Sequence, residues 1–122
     1  MKAIVMLDYQ SKVIGCNELF VRFSGYTSQS LKSASCIQFI PPRLREEYSA
    51  LSKMVRSSSV RNLKMHSVFQ SKEGEILSRV YVGYSPTFIW AEYEQTTEIT
   101  DEIELDDAHS VPTVKIPVTS HQ

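Results

Sequence analysis

The chain has 122 residues, 42% of them hydrophobic and 22% charged, and a formal net charge of −1. This size suits one globular domain with a modest core; no apolar run nears the roughly 20 residues that span a bilayer. The apolar run after Met1-Lys2 is too short for a secretory signal, and Cys16 and Cys36 form neither a disulfide framework nor a metal-ligand spacing, so an intracellular location is expected.

Ala3 to Leu7 reads as a short buried strand, bounded by Asp8. Tyr9-Gln10-Ser11-Lys12 has the length of a hairpin turn, and Val13 to Cys16 returns as a second strand. Asn17 is an N-cap: its side-chain oxygen can accept from an orphan helix N–H. Leu19, Phe20 and Phe23 then share one helical face, and Gly25 supplies the left-handed stop. Thr27 or Ser28 can cap a second short helix through Leu31. Cys36 to Ile40 is an apolar segment that periodicity leaves open between helix and strand. Pro41-Pro42 ends it and suits the first turn of the next helix. That helix, from about Pro42 to Arg56, sets Leu44, Tyr48, Leu51 and Val55 in one stripe.

Ser57-Ser58-Ser59 reads as a loop. Val60 to Gln70 alternates, with Leu63, Met65 and Phe69 on one side. Ser71-Lys72-Glu73-Gly74 is a hairpin turn in which Gly74 supplies a positive φ. Ile76 to Tyr84 is the next strand, with Ile76, Val80 and Val82 on one side, and Ser85-Pro86 breaks it. Phe88 to about Gln95 is a last strand carrying Trp90 and Tyr93. From Thr96 apolar residues thin out, so 96–122 reads as an acidic, flexible tail or linker behind a domain at 1–95. The order ββααα(α)βββ predicts an α+β fold, one antiparallel sheet with helices packed on one face.

The small net charge hides an asymmetry. Residues 1–91 hold six acids against twelve Lys and Arg, whereas residues 92–122 hold eight acids against Lys115 alone. Arg43, Arg45, Lys53, Arg56, Arg61 and Lys64 fall on one stretch of chain. Nucleic-acid binding would want a denser patch with stacking aromatics; a solvated helix face, or docking of the acidic 92–107 segment, fits better.

Taken together, Ala3 to Asp8, the Val13 to Phe20 run with Asn17, then Gly25-Tyr26-Thr27-Ser28 and Leu31 resemble a PAS domain. The Lys72-Glu73-Gly74 turn is similar to that family's hairpin, and Glu98-Ile99-Thr100-Asp101-Glu102 loosely resembles the tract that follows its last strand. The resemblance covers about residues 3–95. It implies a five-stranded antiparallel sheet cupped by helices, used in sensing and protein–protein association, with Asn17, Gly25, Tyr26 and Gly74 determining the fold. With two residues before the first strand and no effector after the last, it suggests a piece of a larger regulatory protein, kinase-associated or transcription-regulating.

Cys36, ten residues after Tyr26, sits at the spacing of the adduct-forming cysteine in the flavin-binding branch. The polar side chains that branch uses are replaced by Ser35, Ile37, Phe69 and Arg79, which would strand the flavin's polar edge. Haem-binding relatives use a His on the long helix; the 42–56 segment has none, and Met54 more readily packs. No cofactor is therefore expected, although an unknown small ligand could occupy a pocket lined by Phe20, Phe23, Cys36, Phe39, Leu44, Leu63, Met65 and Val80. His66 is expected at an exposed rim, with His109 and His121 in the tail. No phosphate loop, GxSxG or HExxH is present, so no enzyme is predicted. Trp90 and Tyr93 must face opposite ways on a strand, so at least one of Tyr81, Trp90 and Tyr93 faces outward. These three are the interface candidates for a protein partner or homodimer on the outer sheet face.

Overall fold

The structure, a computed structural model, describes residues 2–56, 61–98, 102–106 and 113–115. Strands β1 (Ala3–Leu7) and β2 (Val13–Cys16) form an antiparallel hairpin. In β1, Ala3, Val5 and Leu7 are buried while Ile4 and Met6 are not, the alternation expected of one covered face. The turn between the strands is tied by the Asp8 carboxylate, which accepts from the amides of Gln10 (2.9 Å) and Lys12 (3.0 Å).

Helix α1 (Glu18–Ser24) starts at Asn17. The Asn17 Oδ1 accepts from the Phe20 amide at 2.9 Å and from the Ile4 amide at 3.0 Å, and its Nδ2 donates to the Lys2 carbonyl at 2.9 Å. The cap therefore also fastens α1 to β1. Gly25 ends the helix at φ 77°. A Cβ there would collide with the Glu73 carboxylate, and the Lys72 amide donates to the Ser24 carbonyl at 2.8 Å. The Gly25-Tyr26 motif and the Gly74 hairpin are thus one packed corner. Thr27 caps α2 (Ser28–Leu31), accepting from the Ser30 amide at 3.1 Å. The ambiguous apolar segment is a 3-10 turn, Cys36–Phe39; a second such turn, Pro42–Leu44, leads into α3 (Arg45–Arg56).

Strands β3 (Asn62–Ser71), β4 (Gly74–Tyr84) and β5 (Ile89–Gln95) follow. β5 pairs with β1 on one side and with β4 on the other, so the first and last of these five strands meet mid-sheet. The result is the expected α+β order, with a core built from Phe20, Leu31, Leu44, Val55 and the inner faces of β1, β3, β4 and β5.

The 96–122 segment, read as a linker, contains β6 (Glu102–Asp106), antiparallel to β3, and β7 (Thr113–Lys115), antiparallel to β6. The whole sheet therefore runs β2-β1-β5-β4-β3-β6-β7. Without β6, β3 would leave an open edge of unpaired backbone groups. The Glu-Ile-Glu-Leu-Asp alternation of 102–106 is a strand pattern that its acidity conceals. The loop expected at 57–59, Val60, the 99–101 tract, His109 and His121 lie outside the described residues.

Candidate functional site

A cavity of about 160 Å³ lies between the inner sheet face, the Cys36–Phe39 turn and α3. Strand alternation supplies its sheet wall: Leu63 and Met65 from β3, Val80, Val82 and Tyr84 from β4, and Ile89, Ala91 and Tyr93 from β5. The stripe of α3 supplies Tyr48 and Leu51. Small side chains leave the space: Ser67 and Ala91 stand where the sheet could have carried larger residues. Ser67 is buried with Ser78, their hydroxyl oxygens 3.3 Å apart, and Ser78 can donate to the Ser67 carbonyl. This pairing lets hydroxyls persist inside an apolar wall.

Of the residues predicted for a pocket, Cys36, Phe39, Leu63, Met65 and Val80 line the cavity. Phe20, Phe23 and Leu44 do not. Phe20 is fully buried in an aromatic cluster, edge-on to Phe39 (5.4 Å) and Phe69 (5.8 Å), and Phe23 packs on Phe69 at 4.7 Å. Leu44 is likewise sealed in the core. Sequence reasoning missed Ser11, Tyr48, Arg56, Tyr84 and Tyr93, all at the cavity. Tyr84 shares the parity of Val80 and Val82, which would have found it; Ser11 and Arg56 reach the site only through tertiary packing.

Polar groups interrupt the apolar lining. The Cys36 amide donates to the Ser11 carbonyl at 2.8 Å. Burial pushes the Cys36 thiol up, partly offset by a side-chain hydrogen bond with Ser11 and the positive charge of Arg56. The thiol is therefore protonated at neutral pH and a poor nucleophile. Burial also raises Tyr84, to about 12, and shifts Tyr93 further in the same direction. Tyr48 is raised by burial and partly lowered by the Val68 amide, which donates to its hydroxyl at 3.2 Å.

The cavity does not fit a flavin. Its volume matches that of a cavity, about 150 Å³, that holds a single benzene ring, not three fused rings. Phe69 stacks on Phe39 at 5.3 Å and Arg79 pairs with Glu94 at 3.5 Å, so neither position offers the ring a polar partner. Among the described residues no group of three or more His, Cys, Asp or Glu could hold a metal, and both cysteines are free. No described helix is long and apolar enough to cross a membrane.

The outer sheet face is built differently. Tyr81 and Trp90 meet edge to face at 5.1 Å, and Lys64 Nζ lies 5.3 Å over the Tyr81 ring. Trp90 lies across Gly83, where a Cβ would overlap the indole. Register sets Met6 opposite Trp90 and Ile4 opposite Glu92, and all four are half-buried. Tyr93, the third interface candidate, is not on this face. It turns inward against Phe20, Phe23 and Phe69, because Ile89 and Ala91, four and two residues earlier, are pinned in the core opposite Leu7 and Val5.

The basic stretch does not form one patch. Arg43 makes a two-pronged ion pair with Glu75, and Arg45 Nε donates to the Ile40 carbonyl at 3.1 Å. Lys64 lies on the outer face and Arg56 at the cavity mouth. His66 is half-buried, opposite Arg79 in register.

Neither a family model nor a curated protein matches the sequence. Solved structures do match. The PAS domain of the RpfR quorum-sensing receptor of Cronobacter turicensis is similar at a TM-score of 0.66 and 16% identity, over 79% of this chain and 94% of that one. The PAS domain of an HTR-like protein from Haloarcula marismortui gives 0.65 and 16%, over 78% and 86%. The PAS domain of the fruit-fly ELK potassium channel gives 0.64 and 17%, over 80% and 88%. The chain has a PAS fold, as Asn17, Gly25-Tyr26 and the Gly74 hairpin led us to expect.

Proposed function

We propose that this chain is a non-catalytic PAS-type signalling module that associates, with a protein partner or a second copy of itself, through its outer sheet face. The observation that carries the reading is the Tyr81–Trp90 pair. Two large aromatics beside Ile4 and Met6, rimmed by Lys64, Arg79, Glu92 and Glu94, have the apolar centre and charged border of an association surface. Aromatic anchors of this kind carry most of an interface's binding energy. Trp90→Ala and Tyr81→Ala should each weaken association about tenfold or more by native mass spectrometry and sedimentation. Unchanged self-association and partner capture in both variants would sink the reading.

A second reading, a small-ligand sensor, is favoured by the cavity beside Cys36. Among similar structures, the RpfR domain is described in complex with BDSF and with C12:0, so the fold can hold a small molecule. In this chain the ligand would be a single-ring-sized molecule rather than flavin or haem. Purified protein should show no visible flavin or haem band.

A further inference from the structure

Among the described residues, the cavity lining carries charge of a single sign. Arg56, the last residue of α3, is the one charged residue among the described residues that line the cavity. The other ionisable groups there are the Cys36 thiol and the phenols of Tyr48, Tyr84 and Tyr93, all neutral at pH 7. Arg56 donates from Nη1 to the Tyr9 carbonyl and from Nη2 to Ser11 Oγ, both at 3.3 Å, and lies 5.6 Å over the Tyr9 ring. All three partners are neutral. Arg22, Arg43 and Arg79 each have a carboxylate; Arg56 has none among the described residues. Asp8, the acid of the adjoining turn, is occupied by the amides of Gln10 and Lys12. A guanidinium has five N–H donors in a planar fork, so bonds to two acceptors leave others available. Its positive field reaches inward to Cys36 and Tyr84.

We propose that the cavity takes a small apolar monocarboxylic acid of about phenylacetate size, its tail among Leu51, Leu63, Met65 and Val82 and its carboxylate at Arg56. The inference rests on the reading of the cavity as a ligand site. The walls are apolar and close to the size that holds benzene. An ion carried to the bottom would lose its hydration without a counter-charge. At the mouth a carboxylate keeps part of its water and gains charge-assisted bonds to a planar donor fork.

The test is titration calorimetry of the full chain with phenylacetate and with phenylacetamide, its neutral counterpart, while the Met65 methyl signal reports occupancy by NMR. The acid should bind at least tenfold tighter than the amide. Arg56→Gln should abolish that preference; Arg56→Lys should retain part of it. Equal binding of acid and amide, or a preference that survives Arg56→Gln, overturns the acid assignment while leaving the cavity a ligand site. If neither compound nor benzene moves the Met65 signal, the cavity reading itself fails and takes the acid assignment with it.

Discussion

The Asn17 carboxamide joins the end of one element to the body of another. It accepts from the amides of Phe20 and Ile4 and donates to the Lys2 carbonyl. An N-cap replaced by alanine costs about 0.5–2 kcal/mol, and a part-buried amide left without an acceptor adds about 1–3 kcal/mol. Asn17→Ala should therefore lower the unfolding free energy by about 2–4 kcal/mol in urea titrations. Asn17→Asp keeps both accepted bonds, loses only the one to Lys2, and should cost clearly less. A loss no greater than that of an ordinary surface substitution would contradict the double role. Capping is local chemistry, which is why Asn17, Thr27 and Gly25 were legible in the sequence. The bond to Ile4, thirteen residues away, was not, because it exists only once β1 and α1 pack.

Between elements, strand parity set most of the site. Alternation requires Trp90 and Tyr93 to face opposite ways, and that much could be read from spacing. Which of them faces the core depends on the register of β5 against β1, where Leu7↔Ile89 and Val5↔Ala91 bring four buried residues together. The same parity turns Tyr84 of β4 into the cavity that Tyr93 also lines. Burial raises the phenols of Tyr48, Tyr84 and Tyr93 above the ordinary value near 10. The sign follows directly. A folded-state value above the unfolded one contributes stability that is intact below about pH 10 and lost as pH rises through the folded value. For Tyr84 that window runs from about 10 to about 12. Phenolate absorbance should thus lag behind that of the unfolded chain above pH 10, and stability should fall across the same interval. Tyr84→Phe should blunt that fall. Ionisation of every tyrosine together near pH 10 in the folded chain would show that these hydroxyls are not shielded.

For the molecule as a whole, the open question is where the folding unit ends. Composition separates a basic 1–91 from an acidic 92–122, yet the backbone ignores that division: β6 extends the sheet at β3, with Glu104 opposite Lys64. Charge content does not reveal β6, because a strand needs alternation and an available edge more than it needs hydrophobicity. The five strands β2-β1-β5-β4-β3 and their helices already enclose the buried hydrophobic core. Truncation after Glu98 leaves nine acids against twelve bases and, among the described residues, removes β6 and β7 and with them the strand pairing at Asn62–Met65. The truncated chain should keep a cooperative transition, less stable by about 1–3 kcal/mol for the few ladder bonds lost. Its exposed β3 edge should also raise self-association in sedimentation, as unpaired edges do. A truncated chain without a cooperative transition would make β6 part of the folding unit, and the boundary near residue 95 would have to move past Asp106.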